Sequence, residues 1–304
     1  MTEGDKIVRC LIEDSRARVV VAVTTGTVRQ IAERHQAAGS AAVALGRAAT
    51  AGLLLATLTK DDEQVTLQLL GNGPLGGVTV DARSSGGVRA YVKNVTVPAP
   101  AEPATSPRVS LAGILGAEGV VNVIRDLGMS TNFSGQTVLR TGEVDEDVEH
   151  YLQTSEQIDS VLRCDTVLDE NGGVKASAGI LVQTLPQAGG AALVEFLRHR
   201  LHGAELAEAL AGAVEDLDPE KLAQTVLGPC AETMKKLDTR AVRFQCPCSR
   251  ERAAATLAML RDEDLHAMMQ EDHEAKVACK FCGGTYVFSE EDLLKIRKPK
   301  DKVN

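Results

Sequence analysis

Two closely spaced cysteine pairs stand near the end of this 304-residue chain, Cys246-Pro-Cys248 and Cys279-Lys-Phe-Cys282, with thirty residues between them. In an extended segment, residues two apart point to the same side, so Cys246 and Cys248 can present both sulfurs to one ion. Cys279 and Cys282 flank a knuckle-like turn, and Gly283 and Gly284 follow it to supply the left-handed conformation such a turn needs. Four thiolates close a tetrahedral zinc site with no open position, which makes the metal structural rather than hydrolytic. His266 and His273 lie between the pairs, but their acidic helical surroundings mark them as solvated surface residues. Cys10, Cys164 and Cys230 are isolated and read as small core residues.

Zinc-bound sulfur is held as thiolate, the species that oxidants attack. A structural zinc contributes roughly 10–16 kcal/mol of apparent binding energy to a small module. Oxidation of the site would therefore expel the metal and unfold the module in one event, and thiol reductants would reverse it.

Other motifs carry less. Gly71-Asn-Gly73-Pro-Leu-Gly76 matches a dinucleotide fingerprint, but Val78-Thr-Val80 continues it as a strand, so it reads as a hairpin turn. The chain has no phosphate-binding Gly-x-x-x-x-Gly-Lys loop, no His-Glu-x-x-His and no Gly-x-Ser-x-Gly. The tail from Lys295 to Lys302 is basic, yet the stretch from Phe244 onward carries ten basic and eleven acidic residues, a balance unlike a nucleic-acid-binding finger. A net charge of −9 argues against a whole-protein role on nucleic acid or an anionic membrane. The N-terminus, Met-Thr-Glu-Gly-Asp, lacks a secretory pattern, so the chain is expected in the cytoplasm, where the sequons at Asn94 and Asn132 mean nothing.

Positioning the cysteines requires more than one packed unit, since 304 residues exceed a typical core of about 100–200. With 44% hydrophobic residues, 3% aromatic and no Trp, alanine and valine must fill the interior. The run Arg-Val-Val-Val-Ala-Val within Ile7 to Val23 predicts a strand or hairpin, and Val28 to Thr59 predicts one or two buried helices. The stretch from Ser40 to Leu58 carries Arg47 and reads as a core helix rather than a membrane span. Strands are predicted at Val65 to Leu70, Val78 to Ala82, Val88 to Val92, Val120 to Arg125, Gln136 to Arg140, Val161 to Leu168 and Gly179 to Thr184. A proline-rich loop occupies Val97 to Pro107, and a helix with acidic residues in its first turn runs from Val144 to Ser155. Gly189-Gly190 ends this α+β domain, assigned to residues 1–190.

From 191 to 243 the pattern turns helical, with Leu193, Phe196, Leu197, Leu201, Leu206 and Leu210 on one side and a fresh helix start at Asp218-Pro219. Short alanine-rich helices depend on packing for stability, so this linker suits conditional unfolding. The cysteine module takes 244–304.

Cys246-Pro-Cys248-Ser-Arg-Glu-Arg252, Cys279-Lys-Phe-Cys282 and Tyr286-Val-Phe288 resemble the redox-switch domain of the bacterial 33 kDa chaperonin family. Gly71-Asn-Gly73-Pro-Leu-Gly76, Thr141-Gly-Glu143, Ser155-Glu-Gln157 and Leu181-Val-Gln183-Thr-Leu-Pro186 extend the likeness nearly end to end. The resemblance implies a redox-regulated, ATP-independent holdase that is not an enzyme: an α+β N-terminal antiparallel-sheet domain, a helical linker and a small zinc-binding redox-switch domain. It implies an inactive, reduced form with Zn2+ on Cys246, Cys248, Cys279 and Cys282. Peroxide with unfolding stress, or hypochlorous acid, would release zinc, pair Cys246 with Cys248 and Cys279 with Cys282, and unfold the linker. The active form would bind unfolding clients, dimerise and hand clients to ATP-dependent chaperones, with the linker's apolar face (Leu193, Phe196, Leu197, Leu201) as candidate client surface.

Two other readings compete. A thiol-disulfide oxidoreductase would use Cys279 and Cys282, but it lacks a βαβ context and leaves Cys246 and Cys248 unexplained. A zinc ribbon on nucleic acid lacks the basic surface.

Overall fold

The computed structural model describes residues 4–12, 17–59, 63–98, 108–126, 132–185, 190–213, 217–271 and 273–296. Most of the proline-rich stretch (99–107), Gly189 and the end of the basic tail (297–302) lie outside the described residues. The chain forms two compact units, Met1–Gln245 and Cys246–Asn304.

The first unit is built on two sheets with helices between them. One sheet contains β1 (Lys6–Ile12), β2 (Ala17–Val23), β8 (Ser160–Leu168), β9 (Val174–Thr184) and β10 (Lys235–Ala241), in the order β10-β1-β2-β9-β8 and antiparallel throughout. The other contains β3 (Gln64–Gly71), β4 (Val78–Arg83), β5 (Gly87–Val92), β6 (Gly119–Asp126), β7 (Phe133–Val138) and β11 (Arg243–Phe244). Its order is β11-β5-β4-β3-β6-β7, with the short β11 parallel to β5. Gly71 ends β3 and Asn72 to Gly76 lie in the β3–β4 connection, as the hairpin reading requires. The last strand before the acidic helix begins at Phe133, three residues earlier than periodicity suggested, because its register on β6 runs from Phe133 opposite Arg125 to Val138 opposite Val120.

Helices α1 (Thr25–His35) and α2 (Gly39–Ala56) resolve the single long helical stretch into two, separated by Gln36 in the left-handed conformation and by Gly39 at φ 57. Helix α2 touches strands of both sheets and is buried along almost its whole length. Its two glycines explain how it fits. A Cβ on Gly46 would lie 2.2 Å from Thr166 Oγ1 in one sheet, and one on Gly52 would lie 2.7 Å from Val80 Cγ1 in the other. Among the described residues α2 is also the one helix long and apolar enough to cross a membrane, and 94% of it is buried inside the protein. The short α3 (Ala112–Leu115) and α4 (Val144–Thr154) complete this interior layer.

Within it sits a buried charge cluster. Arg47 of α2, fully buried, pairs with Glu143 at 2.9 Å and Asp165 at 3.3 Å. Arg108 pairs with Asp145 at 2.8 Å and with Asp165, and Arg163 lies 3.2 Å from Asp165. Three guanidinium groups thus meet three carboxylates. The acidic first turn of α4 therefore does more than suit the helix dipole: Asp145 belongs to this cluster, and Asp147 accepts the backbone N–H groups of Arg140, Thr141 and Gly142.

The other face of the first sheet is buried too. Along β2, Val20 and Ala22 enter the core between the sheets, while Val19, Val21 and Val23 enter a second core. That two-sided burial explains the unbroken Arg-Val-Val-Val-Ala-Val run. Helices α5 (Ala191–Leu201), α6 (Glu205–Ala211) and α7 (Pro219–Leu227) cover this face with Leu193, Leu197, Leu201, Leu206 and Leu210. Asp218 caps α7 through the N–H groups of Glu220 and Lys221, with Pro219 in the first turn, as the sequence predicts.

Two expectations for residues 191–243 change. The segment is not helical to its end, because a 3-10 turn (Gly228–Thr233) leads into β10, which pairs with β1 from Leu11 opposite Lys235 to Lys6 opposite Ala241. Bare N–H and C=O groups on β1 would otherwise be left without ladder partners. Phe196, placed with the leucines by sequence, is instead 52% exposed. At 100° per residue, Leu193, Val194, Leu197 and Leu201 span an arc of about 100°, and Phe196 lies about 60° outside it.

Candidate metal centre

The second unit contains α8 (Arg250–Leu257), α9 (Asp262–Glu271), the hairpin strands β12 (Glu274–Ala278) and β13 (Thr285–Ser289), and α10 (Glu290–Ile296). Its core comprises Ala253, Leu257, Leu265, Met269, Ala275, Phe288 and Leu293. Arg250 lies over the Phe288 ring at 4.4 Å and donates to the Val287 carbonyl and to Asp292, tying the start of α8 to β13 and α10.

Each cysteine pair is held by local chemistry. Cys246-Pro-Cys248 precedes Ser249, whose hydroxyl caps α8 by accepting the Arg252 N–H. Cys279 and Cys282 occupy the turn between β12 and β13. There Cys279 N–H donates to the Gly284 carbonyl at 2.9 Å, and Gly283 N–H donates to the Cys279 carbonyl at 2.9 Å. Gly283 sits at φ 71, a conformation that penalises side chains, and the Gly284 N–H reaches the Cys282 sulfur at 3.4 Å.

All four sulfurs lie within 4.8 Å of one another. Cys246 Sγ is 3.7 Å from Cys279 Sγ, and Cys248 Sγ is 3.1 Å from Cys282 Sγ. A tetrahedron with Zn–S bonds of about 2.3 Å has S···S edges of about 3.8 Å, so the four residues fit such an ion with little movement. The cysteines are half-buried, close enough to solvent for an oxidant to reach. The Tyr286 hydroxyl and the neighbouring Cys282 hold the Cys248 thiol down to about 7, whereas burial and the Cys248 contact push Cys282 up to about 12. Bound zinc would hold all four as thiolates.

The two histidines between the pairs lie outside the cluster. His266 is exposed, and His273 places Nδ1 2.5 Å from Glu290 Oε1. Cys10 and Cys164 are buried and Cys230 half-buried, all in or against the cores of the first unit. Of the candidate client residues, Leu193, Leu197 and Leu201 are buried at 9%, 0% and 1% exposure, and Phe196 is exposed. Sequence reasoning missed Tyr286 as a partner of Cys248. Its place seven residues after Cys279, in a segment rich in β-branched and aromatic residues, was the available signal.

An α+β unit with an apolar sheet face under helices, and a small module around four clustered thiols that could hold a metal ion, define the class of the protein. The chain matches the family model "Hsp33 protein" over residues 5–289. It is 33% identical over 293 residues to a 33 kDa chaperonin of Listeria monocytogenes, covering 96% of this chain and 98% of the relative. It is 35% identical over 292 residues to a 33 kDa chaperonin of Bacillus cereus, with the same coverage. The crystal structure of the 33 kDa chaperonin from Thermotoga maritima superimposes with a TM-score of 0.82 at 28% identity, covering 97% of this chain and 98% of that one. This chain belongs to the Hsp33, or 33 kDa chaperonin, family of chaperones.

Proposed function

We propose that this protein is a redox-regulated, ATP-independent holdase. In the reduced state Zn2+ sits on Cys246, Cys248, Cys279 and Cys282 and the protein is inactive. Oxidation removes two electrons from each pair of thiolates, forming Cys246–Cys248 and Cys279–Cys282 disulfides, reducing the oxidant and releasing the metal. The segment 191–243 acts as the linker, loses its packing and uncovers apolar surface for unfolding client proteins in the cytoplasm. The oxidised form dimerises and passes clients to ATP-dependent chaperones. The protein carries out no catalysis.

The supporting observation is the clustering of four half-buried sulfurs beside a core of seven apolar side chains, too small to persist without the metal. Family membership supports the chaperone role. The concealed Leu193, Leu197 and Leu201 supply surface that only a conformational change would expose.

The test dilutes a chemically unfolded client enzyme into buffer without ATP and follows light scattering. Peroxide-treated, warmed protein is expected to suppress aggregation at near-stoichiometric ratios, and the reduced zinc form to have little effect. Equal protection by both forms contradicts the regulation. Catalytic turnover of a disulfide substrate by reduced protein contradicts the holdase reading in favour of an oxidoreductase.

A further inference from the structure

The helices that cover the first sheet are fastened at one corner by charge as well as by leucine packing. Glu149, on α4, directs both carboxylate oxygens at the end of α5. Its Oε1 accepts from Arg198 Nη1 at 2.8 Å, and its Oε2 lies 3.1 Å from His202 Nε2. The same Oε2 accepts the Leu162 N–H of β8 at 3.0 Å, which fixes the carboxylate to the sheet. Arg198 also reaches Asp159 at 2.8 Å, and Arg163, almost fully buried on β8, donates to the Gly203 carbonyl at 3.0 Å. The end of α5 and the His202-Gly203 corner are therefore held by four polar contacts to other elements, two from Arg198, one from His202 and one at the Gly203 carbonyl.

We propose that Glu149, Arg198 and His202 form a latch that closes the α5–α6 corner onto the first unit, tightened when the His202 imidazole is protonated and loosened as pH rises. A neutral imidazole donates one hydrogen bond to Glu149, whereas the imidazolium adds a full charge opposite the carboxylate.

The surroundings favour that charge. Glu149, Glu146 and Asp145 on α4 and Arg163 on β8 act on the imidazole, while Arg198, His199 and Arg200 share its own helix end. Hydrogen bonding to Glu149 outweighs burial and the nearby Arg163 and raises the His202 pKa. Glu146 is raised as well, by burial and by Asp145 and Glu143. For a group raised in the folded state, the stabilisation is complete below its unfolded value of about 6.5 and is lost as pH climbs through the higher folded value. Acid thus holds the cover shut and mild alkali frees it.

That the covered face is a client surface rests on the holdase reading; the latch itself does not, and its test reads docking rather than activity. In the reduced, zinc-loaded full chain, hydrogen–deuterium exchange of residues 191–211 is followed at about pH 6 and about pH 8, corrected for intrinsic rates. Protection there is expected to fall about threefold or more between the two, while β9 amides stay unchanged. His202→Gln, which keeps a neutral donor to Glu149, should abolish that difference with zinc content intact, and His199→Gln should preserve it. Glu149→Gln should weaken protection at both pH values. Equal protection of 191–211 at both pH values, or a pH difference that survives His202→Gln, overturns the latch and leaves the holdase reading standing.

Discussion

Stripping zinc from the reduced protein with a strong chelator unfolds the unit Cys246–Asn304 and leaves the two-sheet unit folded. The expectation follows from the imbalance between the two cores. Among the described residues the second unit hides seven apolar side chains, two of them alanine, whereas the first encloses α2 between two sheets and has a further leucine layer outside one of them. A structural zinc is worth roughly 10–16 kcal/mol of apparent binding energy, more than so small a core supplies against chain entropy. Amides of β12, β13 and α8 should lose protection together on chelation, and those of β3, β4 and β9 should keep theirs. A single-site Cys279→Ser variant should show the same loss with zinc in modest excess, since three thiolates remain. Persistent protection of β12 and β13 after complete zinc removal contradicts a folding role for the metal.

Replacing Arg47 should cost the first unit about 3–5 kcal/mol, the usual penalty for removing one partner from a buried ion cluster. Arg47→Met keeps most of the volume and deletes the charge, leaving Glu143 and Asp165 with less compensation in the middle of the protein. At about 2–4 °C per kcal/mol for a unit of this size, the thermal midpoint should fall by roughly 6–20 °C. Zinc content should not change. As a contrast, Arg261→Met, which removes an exposed pair with Asp264, should cost no more than about 0.5 kcal/mol. The same cluster gives the protein an acid limit. Burial disfavours the Asp145 carboxylate, but Arg108, Arg47 and Arg163 outweigh it and hold its pKa below the ordinary value. Its contribution to stability is therefore present above about pH 4 and is lost as pH falls through the lowered value.

The meeting of the four cysteines was legible because their spacing is itself the geometry: two residues apart in one pair, a glycine-ended turn in the other. Helix α2 was legible as a long apolar run whose lone charge argued for the interior, although sequence could not say that Glu143, 96 residues away, answers Arg47. Strand β10 was not legible. Lys-Lys-Leu-Asp-Thr-Arg-Ala carries no apolar alternation, because neither of its faces is buried, and its strand character comes from pairing with β1 rather than from its own residues. Phe196 misled for a related reason: apolar character marks a residue as able to be buried, while helical phase decides whether it is. The latch around Glu149 was invisible because α4 and α5 are distant in sequence and their charges read singly as solvated surface.

In the proposed function, loss of one metal ion is the event that turns the protein into a client binder. It is tested most directly by following zinc release and suppression of client aggregation in one sample, after peroxide is added at an elevated temperature. The expected result is a common time course, reversed when a thiol reductant and zinc are restored. Full zinc release without any gain in protection, or full protection while zinc stays bound, contradicts the account.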